Sequence, residues 1–484
     1  MITGFQKLEK LFKEKSSRLC LGLDPGKEEV EASKAHGGLE NYLKHLIDEC
    51  AEYIVAIKPQ LAFYEASPEW RKIAMNVMDY ANEKHDLVRI LDVKRGDIAN
   101  TQSHWARADL NNFNPDIVVV NAYMGGVDVV MPYLNEDPKL CVYVLTATSN
   151  PGARDFQDLL CGGLTNYQQM ALHCRKLDPA RIGYVMGSTK PDAIKNIRML
   201  EREVGLTQGH ALCPGFGTQG GSLEHVKYAG VNALYPISSG LSKSKNPREV
   251  AKKWRDDINA AFKTAIPTPT LKEYVVSQLV EKGLIIAPNH DDVARWPLLK
   301  RGRDKIKKFD VDSLRAYLTD GTLTKEDFTD LFMNFRDMLA HPELRRLFAF
   351  LYMEMIKASG IHFDRLGSVA YGAINTGDLV SYFMDKPAFL LRKERGAEAT
   401  HADILGEIKK GETVILVEDV ATTGNSAIRD IKMLRETFGV KVTDVFIFIK
   451  RTEEAEANYA REGIKLHYVF DMAQLRKMIG KESK

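Results

Sequence analysis

No stretch of this 484-residue sequence approaches the ~20 consecutive apolar residues needed to span a bilayer. No membrane partner is expected. The first 20 residues are charged and carry no signal-type apolar run, so the expectation is a cytoplasmic protein. Cysteine is scarce and scattered. Cys20, Cys50, Cys141, Cys161, Cys174 and Cys213 show no C-x-x-C spacing, which argues against a zinc site or a disulfide framework. Nor is there an excess of either charge: Lys plus Arg total 67 against 65 Asp plus Glu. A near-neutral chain has no global field to draw in nucleic acid, although local basic sites for phosphorylated small molecules stay open.

What is present is the composition of a soluble globular protein, 44% hydrophobic and 27% charged, over a length that calls for two cores. Short apolar segments recur through the first half, each followed by a longer stretch with helical spacing. They are Leu19 to Leu23, Ile54 to Ile57, Val88 to Leu91, Ile117 to Val120, Val142 to Leu145, Ile182 to Met186, Ala211 to Cys213 and Ala233 to Ile237. Eight strands alternating with helices predict an α/β fold of the (β/α)8 TIM barrel type, and strands apolar on both faces fit a sheet covered on each side. Functional groups then belong at the C-terminal strand ends, where Asp24, Lys58, Asp92, Lys94, Ser149, Gly187 and Pro214 fall. The two prolines of Ala265-Ile266-Pro267-Thr268-Pro269-Thr270 read as a short stiff linker. The domains are accordingly residues 1–265 and 271–484. In the second, Leu271 to Leu284 reads as an amphipathic helix and Asp310 to Ser359 as a largely helical, charged region. Strands follow at Leu366 to Ala370, Ala388 to Leu391, Thr413 to Val417, Val442 to Ile449 and Leu466 to Phe470. Helical segments between them predict an open α/β sheet.

Two stretches carry chemistry. In Asp92-Val93-Lys94-Arg95-Gly96-Asp97, the period-two alternation of a strand places Asp92 and Lys94 on one face, and Asp97 on the following turn can crowd them. Two carboxylates around one ammonium suit proton delivery to a developing carbanion; the plainer reading is a surface ion pair at a strand end. In Val414-Ile415-Leu416-Val417-Glu418-Asp419-Val420-Ala421-Thr422-Thr423-Gly424-Asn425-Ser426, an apolar strand ends in two acids and enters a turn that opens a helix. The acids suit ribose hydroxyls, and the turn with its helix N-terminus suits a 5'-phosphate. An ordinary helix cap is the alternative.

Five motifs in order give the first half, over roughly residues 1 to 262, a resemblance to the orotidine 5'-monophosphate decarboxylase family. They are Leu21-Gly22-Leu23-Asp24-Pro25, Ile57-Lys58-Pro59-Gln60, Asp92 to Ile98, Thr148-Ser149-Asn150-Pro151-Gly152 and Pro214 to Gly221. The resemblance implies a charged tetrad of Lys58, Asp92, Lys94 and Asp97, with Asp97 supplied by the neighbouring subunit of a dimer and Lys94 protonating C6. It also implies that Asp24 receives ribose hydroxyls, Thr101 reaches the partner's site and Ser149 meets the pyrimidine amide edge. Gln219 and the backbone of Gly187, Ser188 and Thr189 would hold phosphate, with Pro214, Ser239 and Gly240 beside the substrate. No cofactor and no metal are implied for this step. One departure stands out: the family's phosphate-clamping arginine after the last strand is missing from Ser238-Ser239-Gly240-Leu241, and Lys243 or Lys245 is the nearest replacement.

The second stretch resembles the ribose-phosphate motif of type I phosphoribosyltransferases, and Phe389-Leu390-Leu391-Arg392-Lys393-Glu394 narrows it to orotate phosphoribosyltransferase. Arg392 and Lys393 would bind pyrophosphate oxygens of phosphoribosyl pyrophosphate, which brings Mg2+ with it, while Glu418, Asp419, Thr422, Thr423, Gly424, Asn425 and Ser426 would hold the ribose phosphate. The mobile-loop pattern departs from the family: Gly396 stands where a lysine is expected, and His401 is either the loop histidine after an insertion or an exposed polar residue. Joined, the halves resemble bifunctional uridine 5'-monophosphate synthases with inverted domain order. Orotate and phosphoribosyl pyrophosphate would yield orotidine 5'-phosphate, then UMP, on a homodimer or higher homo-oligomer. The rivals are a barrel decarboxylase acting on a sugar phosphate with Mg2+, and a C-terminal half that binds nucleotide or oligomerises without catalysis.

Overall fold

Eight apolar segments form parallel strands that close on themselves: β1 Leu19–Leu23, β2 Ala56–Pro59, β3 Val88–Arg95, β4 Ile117–Val120, β5 Cys141–Ala147, β6 Ile182–Met186, β7 Ala211–Leu212 and β8 Ala233–Ile237. Each pairs with its sequence neighbours, and β8 returns to β1. The computed structural model describes residues 2–65, 68–216, 221, 223–264, 269–286, 313, 316, 317, 319, 322, 331–369, 372–391 and 404–482. These divide into two compact units, residues 1–160 with 165–271 and residues 272–484 with 161–164.

One end of the barrel is sealed from the start of the chain. Thr3 and Gln6 form a capping box that launches helix Gly4–Glu14, whose Phe5, Leu8, Leu11 and Phe12 are buried. They pack with Cys20, Val88, Ile90, Ile117 and Tyr143, and the Gly4 amide bonds the Lys139 carbonyl at 2.9 Å just ahead of β5. Burying each such side chain stabilises by about 1.5–3 kcal/mol. The opposite, C-terminal mouth is left for polar groups. β2 lies two residues further along than its apolar run predicts, so Lys58 sits within the strand, in register with Gly22.

The second unit is a six-stranded sheet: β9 Arg365–Val369, β10 Ala388–Leu391, β11 Ile404–Leu405, β12 Thr413–Ala421, β13 Lys441–Lys450 and β14 Lys465–Asp471. Its order is β11-β10-β9-β12-β13-β14, parallel except for the antiparallel edge β11. The edge strand was not foreseen. Helices Ile374–Phe383, Asn425–Phe438 and Glu453–Arg461 connect successive strands, and the core centres on Val414, Leu416, Val445 and Ile447. The expectation of helix across residues 310–359 needs correction. The described residues 313, 316, 317 and 319 are helical, but Phe332–Met333 interrupts the region by pairing antiparallel with Ile285–Ile286, Phe335–Ala340 is a 3-10 turn, and the long α-helix starts at Pro342. Proline at the first helical position fixes that start, and Gly360 at φ +71° ends the helix. Residues 265–268 of the proline segment lie outside the described residues. Among the described residues no helix is long and apolar enough to cross a membrane.

Candidate functional site

At the C-terminal mouth, β2 and β3 bring three charges together. Lys58 Nζ donates to Asp92 Oδ2 at 3.0 Å, and Lys94 Nζ donates to Asp92 Oδ1 at 2.6 Å. Asp24, just past β1, stands 3.9 Å from Lys58 Nζ and accepts the Gln60 amide at 3.2 Å. Lys58 and Asp92 are 7% and 6% exposed, so their charges interact in a poorly solvated setting. Burial on its own would raise the Asp92 carboxyl, but the two ammonium groups overcome it and hold that carboxyl below the ordinary range. Burial would likewise lower Lys58, yet Asp24 and Asp92 drive it upward. Lys58 is a fixed cation rather than a proton donor near neutral pH.

Lys94 reaches Asp92 by a different route from the one strand alternation predicts. The β3–β4 ladder pairs Asp92 with Val119 and then Arg95 with Val120, so Val93 and Lys94 bulge out between them. Lys94 adopts φ +52°, a left-handed conformation that few side chains occupy. Its ammonium is thereby turned back over Asp92 while the side chain stays 40% exposed. A cleft of about 440 Å³ opens here, and its walls include Asp24, Gln60, Phe63, Pro214, Phe216 and Ser239.

Asp97 does not crowd this cluster within one chain. Its Oδ1 accepts the Ile98 amide at 2.8 Å and its own amide donates to Gln102 Oε1 at 3.1 Å, both local bonds at the start of helix Ala99–Phe113. Thr101, on the same helix, is exposed and does not line the cleft. Ser149, Gly187, Ser188, Thr189 and Gly240 are likewise not among the lining residues. The Gly187 and Ser188 amides donate to the Ala147 and Pro214 carbonyls at 2.7 and 2.8 Å, so strand-end bonds already use these two proposed phosphate donors. Gln219 lies outside the described residues.

Sequence reading missed the clip that shapes the Ser149 loop. Gln157 accepts the Thr148 amide at 2.9 Å and returns a bond to Thr148 Oγ1 at 2.7 Å, while Thr148 Oγ1 meets Asn150 Oδ1 at 2.6 Å. Nothing in the local pattern singles out Gln157. Gln60, by contrast, was within reach: it ends the Ile57-Lys58-Pro59-Gln60 motif, and it forms a bridge with Asp92.

In the second unit, Glu418 and Asp419 lie near the end of β12, followed by the Thr422–Gly424 turn. Gly424 adopts φ +74°, and a β-carbon there would stand 2.6 Å from the Tyr459 ring. Helix Asn425–Phe438 begins at this turn with Gly424 as its N-cap, which has no side chain to cap the first amides. Glu418 is buried, accepts the Tyr459 hydroxyl at 3.4 Å, and has its carbonyl bonded by Tyr352 at 2.6 Å. Asp419 is half-buried and faces Gly372, where a β-carbon would fall 1.7 Å from Oδ2. Thr452 bonds the Thr422 carbonyl, and Asn458 bonds that of Thr423 at 2.9 Å, fixing the turn from the next strand and helix. Thr422, Asn425 and Ser426 are exposed on it. Arg392, Lys393 and His401 lie outside the described residues. No group of three or more His, Cys, Asp or Glu among the described residues is placed to hold a metal.

A family model described as orotidine 5'-phosphate decarboxylase / HUMPS matches residues 17–254. Among curated proteins, the chain is 24% identical to the bifunctional enzyme PyrF/PyrE of Nostoc sp., over 98% of this chain and 96% of that one. It is 33% identical to the orotidine 5'-phosphate decarboxylase of Cupriavidus necator, covering 48% of this chain and 84% of that one. Among solved structures, Leishmania donovani UMP synthase is 26% identical, covers 100% of this chain and 96% of its own, and has a TM-score of 0.49.

Proposed function

Because the chain belongs to the orotidine 5'-phosphate decarboxylase / HUMPS family, we propose that residues 1–265 convert orotidine 5'-phosphate to UMP and CO2 without metal or cofactor. The observation that carries this reading is the Lys58–Asp92–Lys94 chain at the mouth of the cleft. Loss of CO2 breaks the C6–carboxylate bond and leaves an electron pair on C6. Fixed ammonium groups in a poorly solvated pocket stabilise that charge as it develops. Lys94, the exposed member, then gives its proton to C6 and recovers one from water. Asp24 takes the ribose hydroxyls at the cleft edge, with Pro214 and Ser239, which line the cleft, bordering the base and sugar.

Asp97 and Thr101 act in the partner's site of a homodimer. Two observations support this: the Asp97 carboxylate bonds the Ile98 amide instead of its own lysines, and Ile98, Tyr123, Met124 and Val127, on the segments that follow β3 and β4, are 50% to 68% exposed. Exposed apolar groups grouped beside a charged site suit a second copy of the chain.

Residues 271–484 supply the preceding step, transfer of the phosphoribosyl group from phosphoribosyl pyrophosphate to orotate, in keeping with the full-length similarity to a bifunctional enzyme. Glu418 and Asp419 hold the ribose hydroxyls, and the Thr422–Ser426 turn with the uncapped helix N-terminus receives the 5'-phosphate. Arg392, Lys393 and His401 complete the pyrophosphate side. Mg2+, when bound, neutralises the adjacent phosphates, and the half-buried Asp419 carboxylate suits a donor set completed by the substrate's own oxygens. Six free cysteines suit a cytoplasmic setting.

Assays of the full chain decide both halves. CO2 release from orotidine 5'-phosphate should persist in excess chelator, whereas loss of orotate with phosphoribosyl pyrophosphate should stop. Chelator-sensitive decarboxylation would favour a sugar-phosphate decarboxylase. Absence of orotate turnover with retained ligand binding would leave the second unit a binding module.

A further inference from the structure

Among the described residues, three ammonium groups border the decarboxylase cleft: Lys58, Lys94 and Lys243. The first two are committed to Asp92, with Asp24 close by, so a phosphate dianion placed beside them would meet two carboxylates. Lys243 stands apart from that cluster, on the segment that follows β8. The residue before it, Ser242, is anchored from both sides. Ser242 Oγ donates to Glu29 Oε1 at 2.8 Å, and Tyr42 donates to the Ser242 carbonyl at 2.5 Å.

The Lys243 side chain is held much less firmly. It is 47% exposed and ends 3.0 Å from Glu28 Oε2, whose side chain is 72% exposed. An ion pair so open to water contributes little and exchanges readily. A phosphate dianion offers more charge and more acceptor oxygens than one carboxylate.

We propose that Lys243 receives the substrate's 5'-phosphate and that Glu28 is its resting counter-ion, displaced when the nucleotide binds. The inference rests on the decarboxylase reading above and adds to it a built-in competitor. Glu28 occupies Lys243 in the empty enzyme and repels any phosphate that fails to displace it. Affinity for the nucleotide is thus set by a two-residue exchange, and ligands without a phosphate gain nothing from it.

The test uses the full chain with two substrates, orotidine 5'-phosphate and orotidine. Lys243→Ala should raise KM for the nucleotide roughly tenfold and cut the preference for nucleotide over nucleoside by a similar factor, the scale of one lost charge-assisted contact at an exposed site. Lys243→Arg should restore most of that preference. Glu28→Gln should lower KM about two- to threefold at low salt, and the gain should fade as salt rises. An unchanged KM in Lys243→Ala, or equal losses on both substrates, would overturn the assignment. Calorimetric titration with UMP and with uridine keeps the two readings separable. If the wild-type chain released no CO2 the decarboxylase reading would fail, whereas UMP binding that ignores Lys243→Ala would end the role of Lys243.

Discussion

Lys58 and Asp92 should be removable together at little structural cost, although removing either alone is expensive. Their charges lie 3.0 Å apart and almost wholly out of water. At an effective dielectric of 20 that separation corresponds to about 5 kcal/mol of attraction, most of it offset by desolvation of both ions. Lys58→Met leaves a buried carboxylate with only the half-exposed Lys94 as partner, and the expected destabilisation is about 3 kcal/mol. Asp92→Asn leaves Lys58 with Asp24 at 3.9 Å, so its loss should be smaller, about 2 kcal/mol. The double variant buries no ion pair and should lie only about 1 kcal/mol below wild type, a coupling of about 4 kcal/mol in a double-mutant cycle. All three variants should be inactive as decarboxylases. The assay is urea unfolding of the full chain followed by tryptophan fluorescence, since Trp70, Trp105 and Trp254 of its four tryptophans belong to the first unit. Additive losses would mean that the pair does not interact as drawn, and an active double variant would refute its place in the chemistry.

Lys94→Ala should fold with stability within about 1 kcal/mol of wild type, because the side chain is 40% exposed, yet lose decarboxylation by orders of magnitude; a mild kinetic loss would contradict its role as proton donor. Mixing inactive Lys94→Ala and Asp97→Ala subunits should regenerate some activity if sites are shared across a dimer, and silence in verified mixed dimers would make each site self-contained. His225 is buried with neither ring nitrogen hydrogen-bonded among the described residues, and burial pushes its imidazole down to about 4. With the folded value below that of the unfolded chain, its stability contribution is complete above pH 6.5 and falls as pH drops toward 4. His225→Leu should therefore gain about 2 kcal/mol relative to wild type between pH 7 and 5, read from urea midpoints, and a pH-independent difference would rule this out. Glu418→Gln with Asp419→Asn should abolish orotate consumption while CO2 release from added orotidine 5'-phosphate continues; loss of both activities would tie these acids to folding.

The barrel was legible because its strands are short, apolar on both faces and separated by helical stretches. Lys58, Asp92 and Lys94 were legible as a set because barrel chemistry gathers at strand ends. Strand alternation accounts only in part for the Asp92–Lys94 contact, since it cannot reveal a ladder that breaks after Asp92. Partners far apart in the chain were also hidden. Tyr459 reaches Glu418 across 41 positions, and no local pattern marks that tyrosine. Ile404–Leu405 and Phe332–Met333 are two-residue strands, too short to show a period, and only pairing with neighbouring strands creates them. Asp97 looked like a third member of the charge cluster because sequence distance says nothing about which way a turn carries a carboxylate.

The left-handed backbone at Lys94 has an evolutionary consequence. A side chain in that conformation costs about 1 kcal/mol that glycine would not bear, so every folded copy carries the penalty to keep one ammonium in place. Lys94→Gly would relieve it. Variants chosen only for heat tolerance should drift toward glycine at this position, while variants chosen for uridine nucleotide supply should never contain it. The two selections pull in opposite directions at a single codon, and a library sorted both ways would identify the proton donor without an assay of the reaction.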